Sequence, residues 1–136
     1  MPNAKSQNSR ILRGDKIAQT PKKKNRGQKT GSTPIHEFSE QNNLNLRHPE
    51  NLDNDVELEF FKKEKPDVVV VVAYGKILPK RLLNIKNIQF INVHASLLPK
   101  WRGAAPIQRA IMNLDKETGV SIMKIIPKLD AGPIMM

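Results

Sequence analysis

The chain of 136 residues has no cysteine, which excludes disulfide staples, Cys-ligated zinc and thiol catalysis. Long apolar runs are missing as well. The longest, Val68 to Tyr74, falls far short of the roughly 20 residues that a membrane-spanning helix needs. Acidic residues are in short supply, 13 against 23 Lys and Arg, and the formal net charge is +10. The imbalance is uneven: residues 1–35 carry +8, residues 36–66 carry −4 and residues 67–136 carry +6. A basic leader with no apolar face of its own points to a polyanionic partner, nucleic acid before membrane. What remains, 38% hydrophobic against 26% charged, suits one soluble globular domain. The lack of cysteine fits a reducing compartment without requiring one.

Residues 1–20 show neither a helical nor a strand period and read as a disordered or non-native leader. Pro21-Lys22-Lys23-Lys24-Asn25-Arg26-Gly27-Gln28-Lys29 reads as a basic loop, since Gly27 and Gly31 disfavour a helix. Thr33 and Pro34 supply an N-cap and a first-turn proline for a short helix to about Asn42, with Ile35 and Phe38 as its apolar pair. A brief strand over Leu44 to Arg47 follows. Asp53 or Asn54 then caps a second helix that uses Val56, Phe60 and Phe61, closes before Pro66 and turns its acidic residues to water. Val68 to Val72 is β-branched without alternation, as expected of a parallel strand covered on both faces. Ile88 to His94 reads as the next strand, with one or two helical turns between Pro79 and Asn84 completing a βαβ crossover. Behind Pro106, Ile107, Ala110, Ile111 and Leu114 mark the apolar face of another helix, and Val120 to Ile126 a further strand.

Ligands of open α/β sheets bind beyond the carboxyl ends of the strands. Asn92 and His94 sit at such an end, two residues apart and therefore on one face. An amide and an imidazole there offer an oxyanion donor and a titratable partner, although a histidine at a strand end also serves purely structural roles. Asp130 lies in the turn Leu129-Asp130-Ala131-Gly132-Pro133, where an aspartate often does no more than bond its own backbone. Beside the Asn92–His94 strand it would orient the imidazole and favour the protonated form, and the three groups would then suit acyl transfer to an amine. Between them, the stretch from Ala95 to Gln108 is stiffened by two prolines, a glycine and the only tryptophan. Lys100, Arg102 and the helix start suit phosphate or carboxylate, and Trp101 suits a ring. A core-anchoring Trp101 with two solvated cations is the plainer alternative.

From about Pro66 onward the chain resembles the amino-terminal catalytic domain of the methionyl-tRNA formyltransferases. The resemblance is carried by Asn92-Val93-His94-Ala95-Ser96-Leu97-Leu98-Pro99, by Trp101-Arg102-Gly103-Ala104-Ala105-Pro106-Ile107-Gln108, and by the distance from these to Asp130. It implies a Rossmann-like α/β fold with a mostly parallel sheet, incomplete at both ends, over residues 21–136, without the carboxy-terminal barrel domain of that family. It implies 10-formyltetrahydrofolate as formyl donor, initiator methionyl-tRNA as acceptor and no metal. Asn92 would bond the formyl oxygen, His94 as imidazolium would stabilise the oxyanion, and Asp130 would hold that ring and assist proton removal. The folate would lie near Ile77, Leu78, Ser96, Leu97, Leu98, Pro99 and Leu129. Arg26 and Lys29, in a segment similar to the loop with which the family grips the acceptor end, would bind tRNA together with Lys100 and Arg102. The resemblance further implies a cytoplasmic protein as in bacteria, with an organelle left open, no membrane contact, and a full-length monomer.

Two rivals accompany this reading. A formyltransferase acting on glycinamide ribonucleotide or an amino sugar would keep Asn92, His94 and Asp130. A nonenzymatic RNA-binding protein would rest on the basic leader alone.

Overall fold

A computed structural model describes residues 16–21, 23, 24 and 29–136. The chain divides into two units, residues 1–50 and 51–136. In the first, residues 1–15 of the expected leader lie outside the described residues, and Lys16–Ile17 (β1) forms a short strand. Its backbone finds parallel partners at a distance in sequence that no local window reveals, with Lys16 opposite Leu46 and Ile17 opposite Arg47, and Ala18 beside it is buried. Of the basic segment, Pro21, Lys23, Lys24 and Lys29 are among the described residues. Lys23–Lys24 (β2) pairs antiparallel with Lys29–Thr30 (β3). Pro34–Gln41 (α1) begins as anticipated, with the Thr33 side chain accepting from the His36 backbone N–H. Its buried face is the reverse of the expected one: His36 and Ser39 are inside, while Ile35 and Phe38 are exposed. The helix turns His36 onto His48, whose ring centroid is 5.3 Å away. The short strand anticipated next is Leu46–Arg47 (β4), the partner of β1.

In the second unit Asn54 caps Asp55–Glu64 (α2) by accepting from the Glu57 backbone N–H, and the chain leaves the helix through Lys65 in the left-handed region just before Pro66. Leu58 and Phe61 face inward and Val56 outward. Glu57 is buried too, so the acidic face is not wholly wet. It lies close enough to Tyr74 that its charge adds to the effect of burial in pushing that phenol above its usual range.

Val68–Val72 (β5) pairs in parallel with Gln89–His94 (β6), and the single helical turn Lys80–Leu83 (α3) lies in the crossover between them. Leu82, on that turn, is fully buried, and Phe90 on β6 meets Phe61 with ring centroids 6.0 Å apart. This is the unit's core. The valine run was expected to be covered on both faces. Instead Val69 and Val71 are half-buried while Val68, Val70 and Val72 are exposed, because among the described residues only one face of this sheet is covered. Pro106–Met112 (α4) departs in the same way: Ala110 alone is buried, and Ile107, Ile111 and Leu114 remain in solvent. Ser121–Lys124 (β7) completes the order β5-β6-β7, antiparallel to β6, with Ser121 opposite His94 and Met123 opposite Asn92. The last residues return antiparallel along β7, where Lys124 N donates to Pro133 O at 2.9 Å and Met123 bridges to Ile134. No helix among the described residues is long and apolar enough to cross a membrane.

Candidate active site

The period of two along β6 puts Phe90, Asn92 and His94 on one face. Phe90 and His94 are buried and Asn92 half-buried. Beyond β7 the chain loops out and comes back to pair with it, and Asp130 stands in that loop with φ 41°, a left-handed conformation that aspartate tolerates better than most residues. The return is tight. A Cβ placed on Gly132 would lie 1.7 Å from the Lys124 carbonyl oxygen, so only glycine fits two residues past the aspartate.

The loop thereby brings Asp130 against β6. Asn92 Nδ2 lies 3.4 Å from Asp130 Oδ1, and His94 Nδ1 lies 3.8 Å from Asp130 Oδ2. Both ionisable side chains are close to nine-tenths buried. The firm bond to the carboxylate comes from elsewhere: the backbone N–H of Gly103 donates to Asp130 Oδ2 at 2.7 Å. The Asn92 contact is long for a hydrogen bond and the His94 contact exceeds one, so neither donor is committed to the carboxylate. Each remains available to an oxygen atom entering between them.

His94 is oriented from its other side. Its Nε2 is 2.9 Å from the Trp101 carbonyl oxygen, and because a carbonyl only accepts, Nε2 carries a proton there. In the neutral ring the lone pair is then on Nδ1, on the side of Asp130.

The loop that presents Trp101 and Gly103 is fastened by buried hydroxyls. Ser96, with no exposed surface, donates to Lys100 O at 2.6 Å. Ser121 donates to Ser96 O at 2.8 Å and accepts from Leu98 N at 3.0 Å. Asp115 accepts from the Trp101 indole N–H at 2.6 Å, from Lys100 Nζ at 2.9 Å and from Asn113 Nδ2 at 2.6 Å. Hydrogen bonds from Lys100, then Asn113 and Trp101, hold the Asp115 carboxyl down at about 2. A carboxyl depressed in the folded state stabilises it above the ordinary carboxylate range, and that contribution fades as pH falls from about 4 towards 2. At neutral pH the fastening is complete.

Of the residues singled out in the sequence, Asn92, His94 and Asp130 are gathered at one place. Ser96 is close by, fully buried, and gives its hydroxyl proton to Lys100 O. Leu97 and Pro99 are exposed and Leu98 half-buried. Ile77 and Leu129 are exposed, whereas Leu78 is buried. Lys100 is neutralised by Asp115, with its ammonium 5.8 Å from the Trp101 ring centroid, and Arg102 is exposed. Arg26 lies outside the described residues, and of Lys29 only the backbone, in β3, is described. Sequence reasoning overlooked Asp115, Ser121, Gly132 and the Gly103 amide. None is marked by a local pattern except Gly132, whose place before Pro133 signals a turn but not the carbonyl it must clear. A cleft of about 350 Å³ lined by Leu97, Lys100, Trp101, Asp115 and Thr118 adjoins this loop and includes none of Asn92, His94 or Asp130. Among the described residues no group of three or more His, Cys, Asp or Glu could hold a metal ion.

The chain is similar to known proteins in sequence and in fold. The chain is 58% identical over 117 residues to the methionyl-tRNA formyltransferase of Pelagibacter ubique, a match that covers 85% of this chain and 38% of that protein. The chain thus spans well under half of that relative's length. Among solved structures it resembles a phosphoribosylglycinamide formyltransferase from Bacillus halodurans, with a TM-score of 0.64 at 25% identity over 78% of this chain and 58% of the other. It also resembles a formyltetrahydrofolate deformylase from Pseudomonas syringae, with a TM-score of 0.61 at 29% identity over 75% of this chain and 36% of the other. Residues 6–136 match the formyl transferase family, and with an amide, an imidazole and a carboxylate meeting at the rim of a three-stranded α/β sheet, the chain belongs to that family.

Proposed function

We propose that this chain is the part of a methionyl-tRNA formyltransferase that carries the chemistry, acting in the cytoplasm on initiator methionyl-tRNA in translation initiation. The observation that carries the reading is the convergence of Asn92 Nδ2 and His94 Nδ1 on the Asp130 carboxylate without either donor being consumed by it. The closeness to the Pelagibacter enzyme favours tRNA over a small amine as acceptor.

Bound 10-formyltetrahydrofolate supplies the formyl carbon. Attack by the α-amine of the esterified methionine forms a new C–N bond, builds negative charge on the formyl oxygen and leaves positive charge on the attacking nitrogen. Asn92 donates to that oxygen, and His94, protonated on both nitrogens, donates from Nδ1. Asp130 takes the proton from the ammonium and passes it to the departing folate nitrogen as the old C–N bond breaks. Donors set in advance of charge development contribute about 3 to 4 kcal/mol each in comparable acyl transfers. The fit to the folate rests on exposed apolar side chains, Ile77, Leu97 and Leu129, on Leu78 and Pro99, and on backbone groups of residues 96–99, since Ser96 and Leu98 N are already engaged in the loop.

The decisive measurement is labelled formyl transfer by the full-length protein to charged initiator tRNA, set against glycinamide ribonucleotide and an amino-sugar nucleotide. Transfer to the tRNA alone is expected, and preference for either small amine would replace this reading by the sibling activity. Asn92→Ala should lower kcat by on the order of 10²-fold, and an unchanged rate would remove the enzymatic assignment.

The grip on tRNA is proposed to come from Arg26, Lys29 and Arg102, with a smaller share from Lys100 because Asp115 already balances its charge. Replacing Arg26 and Lys29 together by alanine should weaken tRNA binding and flatten the log–log salt dependence by nearly two units, just under one for each phosphate left without its cation. An unaltered slope would take the basic segment out of the interface.

A further inference from the structure

We propose that Asp115 is a positioning residue for His94: by accepting the Trp101 indole N–H it fixes the Trp101 carbonyl on Nε2 and so keeps the exchangeable imidazole proton on the Asp130 side. This rests on the formyl transfer proposed above and goes beyond it by giving the imidazole a third determinant, on a different element from the other two.

Asp115 follows α4 in a turn, with Leu114 in the left-handed region and Asp115 N donating to Ala110 O at 3.0 Å. Its side chain is only 6% exposed, an unusual place for a carboxylate unless donors surround it. Three do, and the indole is one of the two closest at 2.6 Å. Trp101 itself has φ 56°, a backbone conformation that a bulky side chain rarely adopts unless its surroundings impose it. The indole bond to Asp115 at one end and the loop bonds of Ser96 and Ser121 at the other hold it there. In that conformation the Trp101 carbonyl lies 2.9 Å from His94 Nε2.

The consequence is a choice of tautomer. With Nε2–H given permanently to a carbonyl, the neutral ring has its lone pair on Nδ1, and protonation adds N–H at the very atom 3.8 Å from Asp130 Oδ2. Without the indole anchor the Trp101 carbonyl is free to rotate away. The neutral ring then takes either tautomer, and the imidazolium, no longer held from its Nε2 side, aims its Nδ1–H less often at the Asp130 side. Lys100 and Asn113 bind the same carboxylate, but neither touches His94; the indole is the route by which Asp115 reaches the ring.

The test uses the full-length protein with Asp115→Ala, Trp101→Phe and the double substitution, reading steady-state formyl transfer and the 15N resonances of the His94 imidazole. Each single substitution should lower kcat by on the order of 10- to 100-fold with KM for both substrates little changed, as for a misaimed reacting group. The double variant should be no worse than the weaker single, because both cut one connection. In the wild type the neutral His94 should show a protonated Nε2, and in each variant a mixture of tautomers. Additive losses, a loss confined to KM, or His94 resonances unchanged by either substitution would each overturn the proposal. If Asp115→Ala does not fold, Trp101→Phe, which keeps the carboxylate and most of the ring, gives the same readings. If the wild type transfers formyl to none of the acceptors, the functional reading fails by itself, and the His94 resonances still decide whether Asp115 sets the tautomer.

Discussion

Asp130→Asn in the full-length protein is expected to reduce formyl transfer by about 10³-fold or more, within the range for losing a general base from a positioned site. The substitution keeps the shape and nearly all the volume. It removes the charge facing His94 Nδ1 at 3.8 Å and the atom proposed to receive the amine's proton. It also forces the amide to choose. The Gly103 N–H needs an acceptor at 2.7 Å, so the oxygen turns to it and the NH₂ turns towards Asn92, donor against donor. Folding should suffer much less than activity, since the side chain lies on a loop at the rim. A single-turnover rate measured beside a thermal midpoint separates the two, and a loss of less than tenfold would show that Asp130 is not the base.

Gly132→Ala is expected to be nearly as damaging by a purely steric route. The added methyl would meet the Lys124 carbonyl oxygen at 1.7 Å and its carbon at 2.9 Å. That carbonyl belongs to β7, whose register with β6 pairs Lys124 with Ile91, so the turn must give way and not the strand. Relief requires a shift of more than about 1 Å, and a displacement of that size at a reacting group costs on the order of 10²-fold in rate. The bond from Lys124 N to Pro133 O, 2.9 Å long, would be strained by the same movement. A stability loss of about 1 to 3 kcal/mol, as for other forced overpacking, should accompany the loss of rate. Unchanged melting together with full activity would mean that the turn adopts another path past β7.

Much of the scaffold was legible because it is governed by neighbours in sequence. Thr33 and Asn54 declare their helices through capping geometry that spans three residues, and both do cap. The valine run and the strand that ends at His94 follow from β-branching, and the shared face of Asn92 and His94 follows from a period of two. The faces of helices were read less well. Ile107, Ile111 and Leu114 have the right spacing and lie in solvent, while His36 and Glu57 are buried, because periodicity tells which residues share a side and not what lies opposite. The pairing of Lys16–Ile17 with Leu46–Arg47 and that of Lys23–Lys24 with Lys29–Thr30 were missed for a related reason. Two-residue strands carry no period, and their stability comes from the partner.

The sequence by itself determined the chemical inventory: an amide and an imidazole aimed the same way at a strand end, a carboxylate in a glycine-containing turn, and two strings that resemble one branch of the formyltransferases. Tertiary structure decided how those groups address each other. Asp130 reaches β6 across 38 residues only because the chain after β7 doubles back through Gly132, and Trp101 offers its carbonyl to His94 while Asp115 holds its indole. Side-chain chemistry is a property of single residues, whereas which proton sits on which nitrogen depends on distances of about 3 Å between atoms far apart in the chain, and those are fixed only when the whole sheet has formed.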